Sequence, residues 1–147
     1  MERLYRHTQV GWVQLAIFGA VAVCYLVFIL PMPNGGAYLL VLLPLMAIIL
    51  AHSVLTVEVT REEVSAAFGG GWRVRRVKLA RVHAARIVAN PRYYGFGVRI
   101  TPKGMLYNVA GTRAVEVELE SGVTFRLGTD ESERLRDAIL DAVREAR

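Results

Sequence analysis

Residues 11–30 read GWVQLAIFGAVAVCYLVFIL, and residues 37–55 read AYLLVLLPLMAIILAHSVL. Neither run contains Asp, Glu, Lys or Arg, and the six residues PMPNGG (31–36) separate them. Twenty helical residues rise about 30 Å, which matches the hydrocarbon thickness of a bilayer. A surface helix of a soluble protein keeps a polar face, and these runs have none. The sequence therefore predicts a transmembrane helical hairpin with spans at about 11–30 and 37–55.

The charges around the hairpin predict its orientation. The short linker makes the two helices antiparallel, so both ends of the hairpin emerge on the same side of the membrane. Arg3 and Arg6 precede the first run, Arg61 follows the second, and the linker carries no charge. Cytoplasmic flanks carry the excess of Lys and Arg. We therefore expect a multi-pass protein of the inner (plasma) membrane, with both termini and the C-terminal domain cytoplasmic.

A cleavable leader is the weaker alternative for the first run. Signal peptides have an apolar core of only 7–15 residues, and a second span does not follow them at once. The tetrapeptide VAVC at 21–24 resembles a lipoprotein cleavage box, but Val23 stands where such boxes have a small residue. A single Cys forms no internal disulfide, which fits a reducing compartment for the globular part.

The rest of the chain is long enough for one small domain. The predicted boundary separates a tail and hairpin at 1–53 from a domain at 54–147. Alternating β-formers and turn residues predict about seven antiparallel strands in a bent sheet or partly open barrel. The segment 82–89 fits a strand or a helix. The expected strands lie at 54–60, 64–68, 72–79, 98–100, 105–109 and within 114–127, with a hairpin loop at the glycine run Gly69–Gly71.

The segment 114–127 predicts a hairpin with a defined register. A three-residue loop at 120–122, with Gly in the left-handed position, pairs Val117 with Phe125 and Val115 with Leu127. The same register sets Glu116 opposite Arg126, which we expect on the solvent-exposed face.

An amphipathic helix follows and closes the domain. Apolar residues recur at helical spacing from Leu135 to Ala146, and acidic residues precede them. Leu135 and Ile139 are expected to be buried against the sheet.

Six short motifs accompany this layout of strands and helix: FGGGW (68–72), VKL (77–79), YGFGVR (94–99), YN (107–108), VEVEL (115–119) and FRLGT (125–129). Together they resemble the pleckstrin-homology (PH) superfold, in particular the bacterial PH-like domains that lie next to transmembrane hairpins. The resemblance covers the segment 54–147 and implies a mainly-β fold with one closing helix. This chain has Trp only at 12 and 72, whereas eukaryotic PH domains typically carry one in the closing helix. Inositol-lipid recognition is therefore not implied.

The charge is concentrated in the middle of the chain. From Arg73 to Arg113 there are ten basic residues and no acidic one. Beside a membrane, such a stretch predicts binding of anionic lipid headgroups or of an acidic protein or peptide. The alternative reading is that these cations are ordinary solvated charges on strand faces. The candidate binding residues are Arg73, Arg75, Arg76, Lys78, Arg92 and Arg99.

The sequence favours a non-catalytic interaction module in the bilayer. The three His residues are far apart, no Cys/His spacing suggests a metal, and no phosphate-binding glycine motif is present. We therefore expect no enzyme activity, cofactor or metal. The alternative is an accessory or structural subunit of a membrane protein complex. A nucleic-acid binder is disfavoured, because the domain is tethered to a membrane and lacks an aromatic-basic strand platform.

Overall fold

A computed structural model describes residues 2–69 and 71–146. Gly70, in the predicted loop at 69–71, lies outside the described residues. The first apolar helix continues into a π-helical turn at Tyr25–Ile29, and a 3-10 turn at Gly35–Tyr38 leads into the second. The three α-helices of the described part are α1 (Trp12–Cys24), α2 (Leu39–His52) and α3 (Ser132–Glu145).

The described residues contain nine strands, in two sheets that do not close into a barrel. The strands are β1 (Arg3–Val10), β2 (Val54–Thr60), β3 (Glu63–Phe68), β4 (Trp72–Lys78), β5 (Val82–Ala89), β6 (Gly97–Thr101), β7 (Gly104–Asn108), β8 (Arg113–Leu119) and β9 (Thr124–Gly128). The first sheet has the order β1-β2-β3-β4, and the second has the order β5-β8-β9-β7-β6. All pairs are antiparallel except β7 with β9.

The core lies between the two sheets and α3. Phe68 from the first sheet and Phe125 from the second are fully buried in it, and Leu135 and Ile139 of α3 pack there as predicted. The segment 82–89, which fitted a strand or a helix, is β5. The prediction of a mainly-β domain closed by a C-terminal helix is therefore confirmed. The described part of 54–147 has eight strands, close to the predicted seven or so, and the β7–β9 pair departs from the all-antiparallel expectation.

With the adjoining π-helical and 3-10 turns, α1 and α2 are each long and apolar enough to cross a membrane. Trp12–Ile29 and Gly35–His52 have mean hydropathies of 2.3 and 2.0, and only 6% of each stretch is buried in the protein. The core helix of a soluble protein would bury far more of this apolar surface. The second helix ends at His52 rather than at 55, because Val54 and Leu55 already pair in β2.

Strand β1 was not predicted from the sequence, where the residues before the hairpin were expected to form a tail. Arg3–Val10 pairs along the whole of β2, with Val10 opposite Val54. The backbone N–H of Gly11 donates to the Ser53 carbonyl at 2.7 Å. The hairpin therefore takes the place of an ordinary turn between β1 and β2. Cleavage of the chain before Cys24 would remove β1.

The hairpin β8–β9 has the predicted register, but its polar pair is not exposed. Val115 lies opposite Leu127, Val117 opposite Phe125, and Glu116 opposite Arg126. Arg126 Nε is 2.8 Å from a Glu116 carboxylate oxygen, yet the Arg126 side chain is only 10% exposed. The expectation of a solvent-exposed face was wrong, because Asn90 covers Arg126 and accepts a hydrogen bond from it.

The pairing of β1 with β2 leads to a prediction about a soluble form of the domain. Gly11 and Ser53 have the close, hydrogen-bonded geometry of residues that flank a two-residue hairpin loop. Replacing residues 12–52 with Asn-Gly should give a soluble domain that unfolds cooperatively in urea. The fragment 54–147 lacks β1 and should aggregate, because β2 becomes an open edge. Equal stability of the two proteins would show that β1 is dispensable.

Strand β1 is also fixed to α3 by polar contacts, which predict a pH effect. The Tyr5 hydroxyl donates to a Glu131 carboxylate oxygen at 3.2 Å. Burial, together with the nearby Glu131 charge, raises the pKa of Tyr5 from 10.0 to about 12. The unfolded chain loses this proton near pH 10, so the contribution of Tyr5 to stability is complete below pH 10 and is lost as the pH rises towards 12.

The variant Tyr5→Phe should therefore lose stability less steeply than the wild type between pH 10 and pH 12. The measurement is the melting temperature of the full chain in detergent as a function of pH. Tyr93→Phe is the control, because Tyr93 is 83% exposed. An unchanged slope in Tyr5→Phe would contradict the assignment.

Candidate functional site

The direction of β4 divides the six predicted cations into two groups. The strand begins at Trp72, whose ring centroid is 5.3 Å from that of His52 at the end of α2. It ends at Lys78, which lies opposite Glu63 in the β3–β4 backbone pairing. Six strand residues span about 20 Å. Arg73 therefore lies near the helix ends, whereas Arg75, Arg76 and Lys78 lie progressively farther away.

A bulge in β4 changes which way its arginines face. The register shifts between Ala66 and Ala67, so that Ala67 pairs with Arg73 and Ala66 with Arg75. Without the bulge, Arg73 and Arg75 would share a face, as the simple alternation predicts. Ala66 belongs to the core face, and Arg75 accordingly turns inward. Its guanidinium carbon lies 4.8 Å from the centre of the Phe125 ring.

A polar cleft lies beside the end of β4, an edge strand, and the short turn Leu79–Arg81 that follows it. We call it the distal cleft; its volume is about 560 Å³, and Glu62 and Glu63 contribute to its wall. Four cations outnumber these two carboxylates. Arg81 was not among the predicted binding residues. Its position three residues after Lys78, in the same basic stretch, is the sequence signal that could have identified it. The cations of the distal cleft are Arg75, Arg76, Lys78 and Arg81.

Most of these cations lack a carboxylate partner. Arg76 forms an ion pair with Glu63, and this hydrogen-bonded carboxylate raises the pKa of the Arg76 guanidinium. Within the described parts of the chain, no ion pair involves Arg75, Lys78 or Arg81. Arg75 Nε is also buried without a hydrogen-bond partner in that part. The distal cleft therefore holds positive charge that the domain itself does not neutralise.

The second group of cations lies beside the helix ends. Arg99 and Val98 line a shallow depression together with Ile48 and His52 of α2. Ile48 lies one helical turn, about 6 Å, before His52. The start of β6 therefore overlaps the last turn of the apolar helix. Arg92 lies in a neighbouring pocket with Val13 of α1.

Exposed aromatic and aliphatic side chains accompany this second group. Trp72 is 62% exposed, Tyr93 83% and Ile100 88%. Aromatic rings with basic neighbours are typical of the level of lipid headgroups. We call this region the membrane-side surface. It comprises Arg73, Arg92 and Arg99 with Trp72, Tyr93, Val98 and Ile100.

Among residues 2–69 and 71–146, no three His, Cys, Asp or Glu side chains are grouped to hold a metal ion. His7 contacts Asp130 and Glu131 at distances of 2.6 and 3.4 Å, and these contacts join β1 to the start of α3.

No protein-family model, curated protein or solved structure matches this chain. The two groups of cations are therefore the features of the molecule from which a function can be proposed.

Proposed function

We propose that this protein is a membrane-anchored, non-catalytic interaction module whose distal cleft binds an acidic, extended segment of a partner protein. The observation that carries the proposal is the set of four cations beside the open edge of β4, three of them without an ion pair in the described residues. An edge strand offers backbone hydrogen bonds to an extended peptide. The cations would add the preference for acidic side chains.

Membrane anchoring is supported by the exposure and the connection of α1 and α2. Both helices present almost all of their apolar surface outward. Both helices connect to the β domain at one place, where Gly11 is hydrogen-bonded to Ser53. Both ends of the hairpin would then lie on one side, and the uncharged linker on the other. The basic flanks make the cytoplasmic side of an inner (plasma) membrane the proposed location of the domain.

A PH-like relationship remains part of the proposal. If the β6–β7 hairpin is counted as an insertion between β5 and β8, seven strands and a closing helix remain. This set of seven strands includes β1, whereas the sequence resemblance was drawn from 54–147 and partly from motifs in and beside β6 and β7. The parallel pair of β7 with β9 belongs to the inserted hairpin.

The distance from the bilayer favours a protein partner for the distal cleft. Lys78 lies about 20 Å along β4 from the helix ends. At physiological ionic strength the field of a charged leaflet decays over about 8 Å. Lipid headgroups would therefore leave the cations of the distal cleft largely free for another acidic partner.

A peptide-binding measurement tests the proposal. The full chain, in nanodiscs of neutral phosphatidylcholine, should bind a fluorescent polyglutamate peptide, and salt should weaken the binding. The double variant Lys78→Glu plus Arg81→Glu should weaken it roughly tenfold or more, because two attractive contacts become repulsive. Fluorescence anisotropy measures the affinity.

The matched control is Arg6→Glu plus Lys103→Glu, which changes the net charge equally outside the cleft. Both residues are exposed. Equal weakening by the two double variants would indicate only non-specific attraction. Absence of peptide binding by the wild type would contradict the proposal.

A second role, as an accessory subunit of a membrane complex, is favoured by one feature of the hairpin. An apolar crevice of about 410 Å³ separates the two helices near the linker, with Tyr25, Met32, Tyr38 and Leu45 in its wall. A helix of another membrane protein could pack there. The accessory role predicts that the cleft variants leave assembly with partners unchanged.

A further inference from the structure

We propose that a pocket on the membrane-side surface binds the phosphate of an anionic phospholipid headgroup. The pocket lies between the start of α1 and the loop that joins β5 to β6, and its volume is about 420 Å³. The inference rests on the membrane anchoring proposed above, but not on the distal cleft. We call it the headgroup pocket; Val13, Asn90, Arg92, Phe96, Asn108 and Thr112 line it.

The position of the pocket suits a lipid. Val13 belongs to the first turn of α1, where the chain would enter the bilayer. Val13 and Phe96 give part of the wall an apolar character, so that the glycerol end of a lipid has a compatible surface. A headgroup could therefore reach the pocket while its acyl chains stay beside α1.

Asn90 provides a hydrogen-bond donor without a partner. The residue is buried, with an exposed fraction of only 5%. Its Oδ1 accepts a hydrogen bond from Arg126 Nη1 at 2.8 Å. Arginine can only donate, so this contact fixes the orientation of the amide. The amide nitrogen Nδ2 of Asn90 is then the remaining donor, and it has no hydrogen-bond partner among the described residues. A buried donor without a partner is costly, and a ligand oxygen would satisfy it.

The charges of the pocket specify an anion. Arg92 is exposed and forms no ion pair in the described part of the chain. None of the residues that line the pocket is acidic. Behind Asn90, Arg126 is held in place by Glu116. A cation and an amide donor together match the oxygens of a phosphate, because charge-assisted hydrogen bonds are the strong ones. A soluble phosphate ester has the same chemistry, and the experiment separates the two sources.

Native mass spectrometry of the full chain in detergent tests the proposal. The protein is titrated with phosphatidylglycerol, phosphatidylcholine or soluble glycerol phosphate. We expect one phosphatidylglycerol to bind before any other, and phosphatidylcholine to bind more weakly because its headgroup is neutral overall. Glycerol phosphate should compete only at much higher concentration. Competition at the same concentration as the lipid would identify a soluble-phosphate site and overturn the lipid proposal.

Two variants change the pocket. Asn90→Asp preserves the shape and the acceptor for Arg126, but it replaces the free donor with an acceptor. Arg92→Gln removes the cation from an exposed side chain, so the fold should be unaffected. Each should weaken the first lipid-binding step about tenfold or more. Arg73→Gln, on the same surface but outside the pocket, should change it less than about threefold.

Unchanged binding in Arg92→Gln, or equal losses in Arg92→Gln and Arg73→Gln, would contradict the assignment. Failure of this proposal is distinguishable from failure of the distal cleft. Lys78→Glu plus Arg81→Glu should leave the first lipid step unchanged, and Asn90→Asp should leave peptide binding unchanged.

Discussion

The pairing of β1 with β2 on either side of the apolar hairpin is the constraint on which the rest of the structure depends. Val10 and Val54 are neighbours in the sheet, and Gly11 bonds to Ser53 across the base of the hairpin. The hairpin is thus an insertion into a β-turn rather than an appendage on a linker. The orientation of the β domain relative to the helix ends follows directly, because the strands continue from the helices without a flexible joint.

This constraint gives the two groups of cations different surroundings. Residues near the start of β4 and in the loop after β5 lie beside α1 and α2, and residues near the end of β4 lie about 20 Å away. Under the two proposals, Arg92 would act on headgroups, while Lys78 and Arg81 would face the aqueous phase. A single basic stretch of sequence would then contribute to two surfaces, one proposed for the membrane and one for a partner. The bulge at Val74 adds a third environment, since it turns Arg75 towards Phe125.

Sequence patterns predicted the elements with strong local signals. Composition alone identifies the two apolar helices, and Gly122, which has a φ of 79°, sets the register of β8 with β9 as predicted. Strand β1 was missed because its inward-facing positions are Tyr5, His7 and Gln9, which do not give the apolar alternation of a strand. Tyr5 and His7 contact Glu131, just before α3, and Gln9 donates to the Ala110 carbonyl, so the partners of all three are distant in sequence.

The sequence predicted the candidate sites only as a local excess of basic residues, without their arrangement in space. Six basic residues were named from a concentration of charge, but their division into two groups depends on strand direction and on a bulge. Asn90 carried no sequence signal at all. Its role depends on Arg126, which is 36 residues away and fixes the amide orientation. Interactions of this kind are set by tertiary packing and not by local pattern.

The central claim is that the β domain lies on the bilayer with β6 at the headgroups and the end of β4 in water. Spin labels at Val98→Cys and at Lys78→Cys, each with Cys24→Ala to remove the only native thiol, test it in nanodiscs. Electron paramagnetic resonance reports the accessibility of each label to oxygen and to a water-soluble nickel complex. The label at 98 should have the accessibility of the headgroup level, and the label at 78 that of bulk water. Equal exposure of both labels to bulk water would contradict the account.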